Sequence, residues 1–79
     1  MNEVNLTAIE PGREVIVMQL GGGSQFLEKA ESLGLRTGVR IRKLSAQVMR
    51  GPVTIQIGST KLALGYGMAK KILVCRVDE

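Results

Sequence analysis

A helical repeat cannot pass into a strand alternation without a break. In this chain the break is confined to Leu33-Gly34-Leu35-Arg36-Thr37-Gly38-Val39-Arg40-Ile41. Upstream, Phe26, Leu27, Ala30 and Leu33 recur at the spacing of one helix face, after Gly21-Gly22-Gly23 and a Ser24 suited to capping a helix start. Gly34 follows the last apolar residue of that face, where a left-handed backbone closes helices at no steric cost to glycine. Leu35 supplies the apolar contact that accompanies such a cap, and Gly38 marks a second turn. From Val39 the period changes to two, with Val39 and Ile41 pointing one way and Arg40 and Arg42 the other. The chain must therefore join a helix of about ten residues, too short to persist without packing, to a strand with one buried and one basic side.

The same punctuation recurs along the chain. Glu10-Pro11-Gly12 is a turn signal ahead of Arg13-Glu14-Val15-Ile16-Val17-Met18-Gln19-Leu20, a β-branched run with apolar residues on both faces. At Lys43-Leu44 the alternation of the next strand slips. Either a bulge sits there, or the strand runs past the edge of the core and leaves Leu44 on the face of Arg40 and Arg42. Arg50-Gly51-Pro52 makes the next reversal, and Val53, Ile55 and Ile57 then alternate with Thr54 and Gln56. Gly58-Ser59-Thr60 reads as a hairpin loop into a strand whose Leu62 and Leu64 share a face. Gly65-Tyr66-Gly67 breaks that strand, Met68-Ala69-Lys70-Lys71 allows one helical turn, and Ile72-Leu73-Val74-Cys75-Arg76-Val77 is a last strand. Five short strands with glycines at the corners and one inserted helix predict a mainly β fold, a small five-stranded β-barrel closed or nearly so. Residues 1–79 are expected to form a single domain, with Gly12, Gly34, Gly38, Gly51 and Pro52 as its structural turns.

Chemistry is constrained by what is missing. The sequence has no histidine and one cysteine, Cys75, inside an apolar strand where burial mutes a thiol. Its carboxylates lie mostly on the helix and at the termini, so no catalytic residue and no cofactor is expected. Glu28 and Glu31 stand one helical turn apart, but such pairs are usually a solvated face, and without imidazole no metal site is expected. Gly21-Gly22-Gly23-Ser24 precedes a helix, yet no lysine follows at the spacing of a phosphate-binding loop. A lone cysteine needs no oxidising compartment, no apolar run approaches the ~18 residues of a membrane span, and the first residues lack the pattern of a signal peptide. The expected location is the cytoplasm, with no direct membrane insertion.

Arg36, Arg40, Arg42, Lys43 and Arg50 place five of the eleven basic residues around the second long strand. A solvated strand face that discourages edge pairing accounts for such a cluster as well as a binding surface does. With Leu44 and Met49 on that face, an apolar centre rimmed by arginines suits a protein partner. The alternative is a small nucleic-acid-binding β-barrel using the same basic face. Barrels that bind single strands rely on aromatic platforms, and Phe26 and Tyr66 are the only aromatics, so no nucleic acid is expected.

Four motifs in order, Leu6-Thr7-Ala8-Ile9-Glu10-Pro11-Gly12, Leu33 through Ile41, Gly51-Pro52-Val53, and Leu62-Ala63-Leu64 with Met68-Ala69-Lys70-Lys71-Ile72-Leu73-Val74, make the chain resemble the FeoA family. The resemblance implies an SH3-like barrel with a helix between its first two long strands. It also implies a non-enzymatic accessory of ferrous iron uptake, acting on a FeoB-type membrane permease that carries a cytosolic GTPase domain. Arg36, Arg40, Arg42, Lys43, Leu44 and Arg50 are the expected partner contacts, and weak self-association is left open. The sequence departs from many family members at Gly65-Tyr66-Gly67, where an arginine often follows the Leu-Ala-Leu segment.

Overall fold

A computed structural model describes residues 2–45 and 49–77. Its strands are β1 (Val4–Asn5), β2 (Glu14–Leu20), β3 (Arg40–Lys43), β4 (Val53–Ile57), β5 (Thr60–Leu64) and β6 (Ile72–Arg76). Two helices interrupt them, α1 (Ser24–Ser32) and the single turn α2 (Tyr66–Ala69), and a 3-10 turn covers Leu6–Ala8. The strands form one antiparallel sheet in the order β1-β6-β2-β3-β4-β5. The mainly β, SH3-like expectation holds, with one strand more than the five expected. The added strand is β1, whose two residues are too few to show a period. The sheet curls without closing, so β1 and β5 remain its edges.

Alternation builds the interior. Val15 and Val17 of β2, Ile41 of β3, Val53 and Ile55 of β4, Leu64 of β5, and Ile72 and Val74 of β6 are buried together. The 3-10 turn adds Leu6 and the following Ile9 to the same core. A register shift between Val17 and Gln19 where β2 meets β6 bends the long strand so that it serves both halves of the sheet.

α1 begins after Gly23, and Ser24 makes no side-chain cap bond, contrary to its expected capping role. Its end follows the expected pattern closely. Gly34 takes φ +90°, its N–H donates to Glu31 O at 3.0 Å, and the Leu35 N–H donates to Ala30 O at 2.8 Å. Those are the two bonds of a Schellman closure. Leu35 is fully buried, whereas Leu27 and Leu33 are 39% and 36% exposed. The helix therefore meets the barrel through Phe26, Ala30 and Leu35, while Leu27 and Leu33 of its apolar stripe stay on the surface.

Gly12 and Gly38 also adopt positive φ. The reversal before β4 falls instead on Met49 and Arg50, at φ +50° and +64°, immediately ahead of Gly51-Pro52.

Candidate functional site

β3 presents its charged side on the outer face of the sheet. Glu14 of β2 pairs with Arg42, Arg42 with Gln56 of β4, and Gln56 with Lys61 of β5, so one polar row crosses four strands. Side chains in register on neighbouring strands share a face. Arg40, opposite Ile16, reaches Glu14 at 3.7 Å, an exposed ion pair of little energetic weight. Arg42 donates from Nη1 to Gly12 O at 2.8 Å, and Gln56 from Nε2 to Gly58 O at 3.0 Å. The Leu44 N–H donates to Thr54 O at 2.8 Å, continuing the ladder one residue past β3. Leu44 is half-buried on the face of Arg42. Two hollows flank Arg42, one of about 390 Å³ against Arg40 and Gln56 and one of about 610 Å³ against Glu10 and Arg13.

Lys43 is not part of this face, which corrects its expected role as a partner contact. It is 1% exposed, and its Nζ donates to Ile9 O at 2.7 Å, Thr7 O at 3.2 Å and Leu6 O at 3.4 Å. The alternation of β3 is unbroken, with Ile41 and Lys43 inside and Arg40, Arg42 and Leu44 outside. What reads as a slip is a lysine occupying a core position, where the backbone carbonyls of the 3-10 turn and its exit replace water around the ammonium. Burial pulls the Lys43 pKa below its ordinary value, and the nearby Glu10 charge opposes that shift.

The remaining candidates lie elsewhere. Arg36 is exposed beside α1, lining a groove of about 390 Å³ with Leu20, Leu27, Glu28 and Glu31. Arg50 is exposed in the connection before β4, next to a Met49 that is 95% exposed. Both aromatic rings are engaged by lysines, Tyr66 by Lys70 at 5.9 Å and Phe26 by Lys71 at 5.8 Å, so neither is an open stacking platform. Among the described residues no three His, Cys, Asp or Glu side chains come together to hold an ion, and no helix is long and apolar enough to cross a membrane.

Sequence reasoning missed the acidic partner of this region. The Glu10 carboxylate accepts from Arg76 Nη2 at 2.8 Å and lies 3.4 Å from Arg13 Nη2. The Arg76 hydrogen bond is the main cause holding the Glu10 pKa below its ordinary 4.5. A carboxyl whose folded pKa is lowered contributes stability that is complete above the unfolded value and disappears as pH falls through the folded one. The Glu10 carboxyl carbon should therefore titrate below pH 4.5 by NMR, and Glu10→Gln should flatten the acid limb of the stability profile. A midpoint at or above 4.5 would show that Arg76 does not hold it in solution.

A family model described as FeoA domain matches residues 4–76. A protein of Methanocaldococcus jannaschii, "Putative Fe(2+) transport protein A", is 32% identical over 69 residues, 87% of this chain and 82% of that one. A crystal structure of an iron uptake regulatory protein (FeoA) superposes with a TM-score of 0.88 at 32% identity, covering 96% of this chain and all of the other. A manganese-dependent transcriptional repressor matches with a TM-score of 0.87 at 25% identity, over 95% of this chain but only 42% of the repressor.

Proposed function

The chain belongs to the FeoA domain family, and on that premise we propose that it serves ferrous iron transport as a non-enzymatic accessory. It docks on the cytosolic, GTPase-bearing part of a FeoB-type membrane transporter and modulates transport there. The observation that carries this reading is the outer face of β3, where exposed Arg40 and Arg42 lead along the strand to a half-buried Leu44. Arg36 and Arg50 add exposed positive charge on the connections before and after that strand. Neither arginine of β3 is committed to a buried partner, so both are available to a partner's carboxylates, where a planar guanidinium makes paired bonds. With a net charge of +4, long-range attraction favours an acidic partner and sets the encounter rate more than the final affinity.

Affinity for the transporter's cytosolic domain, measured by calorimetry for wild type and for Arg40→Glu/Arg42→Glu, tests the proposal. The double variant should bind at least about tenfold more weakly, with most of the loss recovered by charge reversal on the partner. Its melting temperature should change by only a few degrees, because exposed ion pairs contribute little to stability. Unchanged affinity in the double variant would remove the β3 face from the docking surface.

A further inference from the structure

The edge of the sheet beyond β4 is built to accept another strand. Gly58-Ser59 closes the β4–β5 hairpin with Gly58 at φ +59°, the conformation that the first central position of a two-residue II′ turn requires. In such a hairpin the closing residues Ile57 and Thr60 exchange both backbone bonds, and the bonded pairs recur at every second position. Ile55 with Leu62 and Val53 with Leu64 are the next two. Thr60, Leu62 and Leu64 thus direct their N–H and C=O groups to β4, while those of Lys61 and Ala63 point away from the sheet. β5 ends the strand order, and among the described residues no backbone bond reaches it from any element other than β4.

The side chains along this edge leave room for an occupant. Thr60, Lys61 and Ala63 are exposed, and Ala63 is small. Leu62, on the inner side, is only half-buried, whereas Leu64 is 2% exposed. An added strand with an apolar residue beside Leu62 would complete the cover of that leucine. The other edge is a poorer template, because β1 has two residues and its Asn5 side chain already donates to Lys70 O at 3.0 Å.

Charge selects the occupant. Lys61 ends the row Glu14, Arg42, Gln56, Lys61, so this edge belongs to the same surface as the β3 arginines. Two strand spacings separate Lys61 from Arg42, about 10 Å, close to one Debye length at physiological salt. A second copy of this chain would bring together two edges that each carry Lys61, on a protein with net charge +4.

We infer that the free edge of β5 binds an extended acidic segment of the transporter's cytosolic part as an added antiparallel strand, an inference that rests on the docking proposed above. The segment carries a carboxylate opposite Lys61 and an apolar residue next to it, beside Leu62. Main-chain bonds to Lys61 and Ala63 hold it, and the alternating side chains specify it.

Amide hydrogen exchange of the full chain, with and without the transporter's cytosolic domain, tests the inference. In the free protein the Lys61 and Ala63 amides should exchange faster than those of Leu62 and Leu64. With the domain bound they should slow at least about tenfold. Ala63→Pro removes only an outward N–H, a position where an edge strand tolerates proline, and should weaken binding at least about tenfold. Lys61→Glu should weaken it comparably, and it decides the matter together with the wild-type exchange if the proline variant fails to fold. Tight binding with Lys61 and Ala63 exchanging as in the free protein would overturn the added strand and leave the docking intact. No binding by wild type would overturn the docking itself, and the added strand with it. Protection that grows with protein concentration in the absence of any partner would make the occupant a second copy and overturn the acidic segment.

Discussion

Lys43→Met should lower the melting temperature by about 15 °C, because the loss of charge-assisted bonds to buried carbonyls costs about 3 kcal/mol in a domain of this size. Methionine matches the lysine stem and keeps the apolar packing, so the substitution isolates the ammonium. Three carbonyl oxygens, of Leu6, Thr7 and Ile9, lose a donor at once, and a buried acceptor left unpaired is costly. The same group gives stability a pH dependence with a definite sign. Its folded pKa lies below the ordinary 10.5, so between the two values the unfolded chain holds more protons than the folded one. Stability then rises with pH across that window. Urea midpoints measured up to pH 10.5 should show this rise in wild type and lose it in Lys43→Met. A variant that melts within two or three degrees of wild type would mean that the N-terminal turn is held by other contacts.

The second large effect concerns the end of α1. Leu35→Ala should cost about 3 kcal/mol and a comparable fall in melting temperature, since it empties a fully buried position. Leu33→Ala, two residues earlier and 36% exposed, should cost less than about 1 kcal/mol. The contrast separates the leucine that anchors the helix from the one that merely continues its stripe. Thermal denaturation followed by circular dichroism compares them directly. Equal losses would place Leu33 in the core and contradict a helix contact that leaves it outside.

Much of the architecture was legible because two-residue and 3.6-residue periods are imposed by backbone geometry alone. β4 runs from Val53 to Ile57 as its alternation requires, and the Gly34-Leu35 closure forms the two bonds expected of it. Only part of the helix stripe meets the core. Spacing identifies which residues share a face, but how deeply that face sinks depends on the barrel it meets: Ala30 and Phe26 reach the core, Leu27 and Leu33 do not. α2 starts at Tyr66, two residues ahead of the expected turn, because Gly65 with an extended backbone serves as its cap. Arg40, Arg42 and Leu44 share one face as the second of the two readings at Lys43-Leu44 required. Lys43 was misplaced for a physical reason. A lysine inside a barrel is stable only where carbonyls converge on it, and these come from residues 34 to 37 positions earlier. No local pattern around Lys43 carries that information. The Glu10–Arg76 pair was hidden in the same way, by a separation of 66 residues.

The pairing of Val4 with Val74 also governs how this sheet can be made. Val4 and Asn5 are made before β6, the strand that pairs with them, and the carbonyls of Leu6, Thr7 and Ile9 accept from an ammonium in β3. The β2–β3–β4–β5 meander pairs strands that follow one another in the chain, whereas bringing Val4 to Val74 closes nearly the whole chain. The strand that opens the sheet therefore gains its partner only when the last strand of the chain has been made.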